Sequence, residues 1–259
     1  MAKKLIFFDI DGTLFDDEKK LPASTKKAIG QLQEQGHEIA IATGRSPFNF
    51  KELQEELNIH TYVSFNGQYV VHNNEVVYKN AIDPDKLAEL TSFSMENNHP
   101  LVYMNEAEWN SNIESHPQVK EAIDSLKVNS KLTYNPNFFE GREIYQALLF
   151  CTEENDSMYQ NKYAELDFVR WHTYSLDVIP MGGSKANGIE QLVRHLGVDL
   201  QDVYAFGDGL NDIEMLKFIP NSIAMGNGHE EAKKVAKYVT KHVGDDGILH
   251  GLKMARLLK

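Results

Sequence analysis

Leu5-Ile6-Phe7-Phe8-Asp9-Ile10-Asp11-Gly12-Thr13 is the stretch from which the rest of the chain can be read. Four consecutive apolar residues suit a short strand covered on both faces of a sheet. Two aspartates follow at once, and Gly12 lets the chain turn away sharply. Because alternate residues of a strand point the same way, Asp9 and Asp11 are expected to project together beyond the sheet edge. At about 4 Å two carboxylates repel by roughly 4 kcal/mol at an effective dielectric near 20. Either a shared proton or a divalent cation must offset that repulsion, and hard oxygen ligands suit Mg²⁺. Taken alone, the same residues also fit a turn in which an aspartate caps a helix.

Outward from this stretch, apolar runs alternate with amphipathic ones. A helix opens at Pro22 with apolar residues at helical spacing (Ala28, Ile29, Leu32), and Gly36 ends it. Glu38–Ala42 reads as a strand, 46–57 as a helix opened by Ser46-Pro47, and 62–65 as a third strand. This rhythm argues for a Rossmann-like, doubly wound parallel sheet, in which ligands bind beyond the strand carboxyl ends. Residues 69–72 and 75–78 around Asn73-Asn74 read as a hairpin. From 83 to 183 the chain is richer in Asn, His and aromatic residues. Its expected helices are 85–97, 117–126 and 157–166, and its expected strands 101–104, 144–150, 168–172 and 175–179. The first rhythm resumes at Ser184, with helices at 184–195, 211–218 and 230–236 and strands at 203–206 and 222–224. The fold class is therefore α/β: a core formed by 1–82 and 184–259, split by an inserted α/β cap at 83–183.

Gly207-Asp208-Gly209-Leu210-Asn211-Asp212 repeats the layout of the opening stretch, with acids directly beyond an apolar strand. Asn211 or Asp212 can cap the following helix and still serve a site. Ala42-Thr43-Gly44-Arg45 closes the second strand, where a hydroxyl and adjacent backbone N–H groups can form a phosphate-sized anion site. Lys185 stands where the core rhythm returns, and Phe65-Asn66-Gly67 reads as a turn.

In chain order these elements resemble the haloacid dehalogenase superfamily of phosphotransferases, and the insert resembles the α/β cap of its Cof-type branch, rich in sugar-phosphate phosphatases. The resemblance implies a Mg²⁺-dependent phosphatase acting on a small phosphorylated metabolite through an aspartyl-phosphate. Asp9 would be the nucleophile and Asp11 the proton donor and acceptor. Asp9, the backbone carbonyl of Asp11 and Asp208 would hold the metal, with Asp212 in support. Thr43, Lys185, Asn211 and the backbone of Ile10 and Gly44 would hold the phosphoryl oxygens, and the cap would contact the leaving group. Lys185 is followed by Ala186-Asn187-Gly188, where many relatives place a glycine directly after the lysine. A phosphomutase, or a non-catalytic regulator that binds a phosphometabolite, would use the same motifs. Retention of Asp9, Asp11, Lys185 and Asp208 together weighs against the regulator.

The 259 residues carry 26 basic and 38 acidic side chains, a net charge of −12, which disfavours nucleic acid spread over the surface. One phosphate beside a cation is compatible with that balance. No apolar run reaches the roughly 18 residues of a membrane span. Asp9 and Asp11 end the run after Lys3-Lys4 before it can serve as a secretory leader. With a single cysteine, Cys151, no internal disulfide is available, so a reducing cytoplasm is the simplest location.

Overall fold

A computed structural model describes residues 3–259; residues 1 and 2 of the expected core lie outside that range. In chain order the strands are β1 Leu5–Phe8, β2 Glu38–Ala42, β3 Thr61–Ser64, β4 Tyr69–His72 and β5 Glu75–Lys79, then β6 Leu101–Met104, β7 Trp109–Ser111, β8 Thr133–Tyr134, β9 Gln146–Phe150, β10 Leu166–His172 and β11 Ser175–Pro180. After these come β12 Val203–Gly207, β13 Asn221–Ala224 and β14 Tyr238–Val239. The helices are α1 Ala23–Glu34, α2 Lys51–Leu57, α3 Pro84–Glu96, α4 Pro117–Ser125, α5 Asp156–Gln160, α6 Lys185–Leu196, α7 Ile213–Phe218, α8 Glu230–Val235 and α9 Gly247–Met254.

The chain forms two compact units. One holds the residues through Gly44, Glu52–Tyr78 and Ser184–Lys259; the other holds Arg45–Lys51 and Lys79–Gly183.

In the first unit one sheet runs β14-β13-β12-β1-β2-β3-β4-β5. The strands from β14 to β3 are parallel, and the hairpin strand β4 adds antiparallel to β3. β1 is fully buried because both of its faces are covered. Leu5 and Phe7 join Ile189 and Leu192 of α6 and Met215 of α7 in one cluster. The alternate residue Phe8 stacks on Phe206, with ring centroids 4.9 Å apart. Gly251 of α9 comes so close to Phe206 that a Cβ there would sit 2.6 Å from the ring. Burying side chains of this size contributes about 1.5–3 kcal/mol each, which fixes β1 at the sheet centre and its carboxyl end at the sheet edge.

The second unit has a mixed sheet, β10-β11-β9-β6-β7-β8, over a core that includes Leu87, Leu90, Tyr103, Leu149, Tyr159 and Tyr163. Arg45–Lys51 joins this unit through side chains: the Phe48 ring meets Trp109 edge-on at 5.8 Å, and Ser130 Oγ donates to Asn49 Oδ1. Cys151 is buried directly after β9.

Several elements differ from expectation. Residues 47–49 form a 3-10 turn and α2 begins only at Lys51, because Phe50 breaks the helix at φ −134°. Residues 210–212 likewise form a 3-10 turn ahead of α7. The helix expected over 157–166 stops at Gln160; isolated turns carry the chain on, and Leu166 already belongs to β10. Among the described residues no helix is long and apolar enough to cross a membrane.

Candidate active site

All candidate residues of the sequence lie in the first unit, at the carboxyl ends of its parallel strands and in the first turn of α6. Phe8 pairs in register with Phe206, so Asp9 and the Gly207-Asp208 loop leave the sheet side by side. Gly12 makes the turn after β1 at φ +78°, and a Cβ there would lie 2.2 Å from Asp208 Oδ2. Only glycine meets both demands, the left-handed backbone and the close approach.

Lys185 is 1 % exposed at the start of α6. Its Nζ lies 2.6 Å from Asp9 Oδ1 and 2.6 Å from Asp212 Oδ1. The other Asp212 oxygen accepts the backbone N–H groups of Asp208 (2.8 Å) and Gly209 (2.9 Å), and Thr13 Oγ1 donates to Asp208 Oδ1 at 3.2 Å. The helix reaches this position because two glycines touch: Gly67 turns at φ +100° beneath the carbonyl of Ser184, and a Cβ on Gly188 would lie 2.7 Å from Gly67 Cα. The glycine absent directly after Lys185 is thus matched by one three residues later, with a packing role.

The remaining predicted residues are distributed around this cluster. Ile10 is fully buried, and its carbonyl accepts the N–H groups of Thr13 and Phe15. Thr43 is buried; its N–H donates to Val63 O and its carbonyl accepts from Asn66 N. The Asn66 amide lies 3.0 Å from where a Gly44 Cβ would stand, and Asn211 Nδ2 donates to Asn66 Oδ1 at 3.2 Å. Asp11 Oδ1 accepts from Lys19 Nζ at 2.5 Å, and the Asp11 charge also acts on Asp9 and Asp208.

Three residues beyond the expected set contribute. Asn66, a turn residue by its sequence, packs against Gly44 and accepts from Asn211, and Thr13 donates to Asp208. Asn227 donates to Gly12 O at 2.8 Å and accepts Val243 N–H at 2.8 Å, which ties the loop after β13 to the β1 turn. The Gly226-Asn227-Gly228 run just beyond a strand was the available signal.

Asp9, Asp208 and Asp212 can each offer one oxygen such that all three lie within 4.8 Å of one another. Burial raises Asp9 well above its ordinary pKa; Lys185 opposes the shift, and Asp212, Asp208 and Asp11 add to it. Burial, then Asp212, pushes Asp208 up to about 7. Burial disfavours the Lys185 charge, but Asp212 and then Asp9 outweigh it and hold its pKa above the ordinary value. The raised values of Asp9 and Asp208 show that one ammonium does not offset the cost of ionising both. All-oxygen donors in that state fit a hard divalent cation, so the aspartate cluster can bind a metal.

The model of the haloacid dehalogenase-like hydrolase family matches residues 6–252, and the chain belongs to that family, in its phosphatase branch. It is 47% identical over all of both chains to "Putative phosphatase YkrA" of Bacillus subtilis (strain 168). The crystal structure of a hypothetical protein from Geobacillus kaustophilus HTA426 superposes with a TM-score of 0.94 at 49% identity, covering 99% of this chain and 100% of that one. The subclass IIB sugar phosphatase BT4131 superposes with a TM-score of 0.88 at 33% identity, covering 99% and 100%. The parallel core sheet and the mixed second sheet are the subclass IIB fold.

Proposed function

We propose that the protein is a Mg²⁺-dependent phosphomonoesterase for a small phosphorylated metabolite, working through a phosphorylated Asp9. The observation that carries this reading is the convergence of Asp9, Asp208, Asp212 and Lys185 from three separate parts of the chain into one buried cluster. Asp9, Asp208 and the backbone carbonyl of Asp11 would hold Mg²⁺, with Asp212 behind them. When bound, the cation neutralises the carboxylates and the phosphoryl oxygens.

Asp9 attacks phosphorus while the bond to the leaving oxygen breaks, and Asp11 delivers its proton to that oxygen. Water then attacks the same phosphorus, the Asp9–phosphorus bond breaks, and Asp11 takes the proton back. Lys185, Asn211, the Thr43 hydroxyl and the N–H groups of Ile10 and Gly44 orient the phosphoryl oxygens, which is most of what phosphoryl transfer requires. Residues 83–183 act as the cap that selects the substrate. Similarity to a sugar phosphatase supports a sugar phosphate or a comparable metabolite.

The test is release of inorganic phosphate from p-nitrophenyl phosphate and from a panel of phosphorylated sugars, nucleotides and cofactors, with Mg²⁺ and with EDTA. Phosphate release should require Mg²⁺ and vanish in Asp9→Asn. Full turnover by Asp9→Asn would falsify the assignment.

A further inference from the structure

Residues 9–20 close into a double turn between β1 and α1. Gly12 N–H donates to Phe15 O at 2.9 Å, and Phe15 N–H donates to Ile10 O at 2.8 Å. In the second turn Lys19 N–H donates to Asp16 O, Asp16 N–H donates to Lys20 O, and Asp16 Oδ1 accepts from Glu18 and Lys20. Lys19 sits at the tip of this turn with φ +60°, a backbone state that glycine and asparagine adopt readily and lysine does not.

Its side chain passes over the acids nearest in sequence, Asp16, Asp17 and Glu18. Lys20 takes Glu18, while Lys19 Nζ reaches back eight residues to Asp11 Oδ1. The two side chains are 29 % and 38 % exposed, and ion pairs that wet add little to stability. A left-handed lysine, in turn, costs stability. Stability alone is therefore a weak account of the pairing. Its geometric effect is specific: Asp9, Asp208 and Asp212 share one cluster, and the Asp11 carboxylate is turned toward Lys19.

We propose that Lys19 is a positioning residue that holds Asp11 Oδ1, so that the other carboxyl oxygen carries the proton to the leaving oxygen. The proposal rests on the reading of Asp11 as proton donor. A group that positions the proton donor should matter in proportion to how much the leaving group needs its proton.

The experiment compares kcat/KM, which reports steps through departure of the leaving group, for phenyl phosphate and p-nitrophenyl phosphate at saturating Mg²⁺. The two substrates have nearly the same shape, but phenoxide is much the more basic leaving group. Lys19→Gly should lose about 10-fold or more on phenyl phosphate and much less on p-nitrophenyl phosphate. Its thermal midpoint should stay level or rise, because glycine relieves the strained φ. Lys19→Arg should keep most of the phenyl phosphate activity, and Asp11→Ala should show the same selectivity more strongly. Equal losses on both substrates, or none, in Lys19→Gly while Asp11→Ala remains selective overturn the role of Lys19 alone. An Asp11→Ala variant without selectivity overturns the reading of Asp11 and this proposal together.

Discussion

Lys185 Nζ and Asp212 Oδ1 lie 2.6 Å apart, and neither side chain reaches solvent. Asp212 spends its other oxygen on two backbone N–H groups of the Asp208 loop, so a single carboxylate both shapes that loop and holds the lysine. Asp9 Oδ1 accepts from the same ammonium at 2.6 Å.

Removing the lysine charge strands two buried carboxylates. Lys185→Met should lower folding stability by about 3–5 kcal/mol, the usual cost of breaking a buried pair from one side. Urea denaturation in EDTA measures this directly. A change near zero would mean that the carboxylates are already neutral in the wild-type protein.

Asp208 provides a pH dependence with a definite sign. Its folded value of about 7 lies above the ordinary 3.8, so between those limits the folded state holds more proton than the unfolded chain. The stability contribution is complete below about pH 4 and is lost as the pH rises toward 7. Metal-free wild type should therefore lose melting temperature relative to Asp208→Asn across that window. Mg²⁺ should raise the melting temperature most at the alkaline end, where it no longer competes with a proton. Parallel melting curves for wild type and Asp208→Asn would refute this account.

Gly12→Ala places a methyl group at a left-handed φ and 2.2 Å from Asp208 Oδ2. The backbone strain alone should cost about 1–3 kcal/mol, and displacement of Asp208 should weaken Mg²⁺ binding as well. Titrating the thermal midpoint against Mg²⁺ separates the two effects. The midpoint without metal reports strain, and the concentration dependence reports the site.

Cys151 should be chemically silent. It is 1 % exposed, and burial pushes its thiol up to about 11 against the pull of Arg170. At pH 8 the thiolate population is small and shielded, so iodoacetamide should label the protein only after denaturation. Mass spectrometry of the intact chain measures this, and rapid native labelling would contradict it.

Much of the core and its site could be read from the sequence because acids directly beyond apolar strands are a local pattern. Asp9 follows Leu5–Phe8 and Asp208 follows 203–207, and both placements need only strand alternation and a glycine. The omissions have physical causes. β8 and β14 are two residues long, too short for any period to register, and β7 has three. Tyr159 and Tyr163 keep helical spacing because both are buried in one cluster, although only the first lies within α5. Asn66 was invisible because its contribution is a contact with Asn211, 145 positions away. The reach of Lys19 to Asp11 depends on a positive φ that no residue type in the turn advertises.

The register that joins β1 to β12 has a consequence for synthesis. Leu5–Phe8 and Val203–Phe206 are neighbours in the sheet, yet most of the chain lies between them. Contacts across so long a separation form slowly, because the intervening loop must close before they repay its entropy. A nascent chain that has emerged only as far as Gly183 possesses Asp9 without Lys185, Asp208 or Asp212. Any metal affinity and any chemistry at this cluster must therefore appear late and together, once the final third of the polypeptide has left the ribosome.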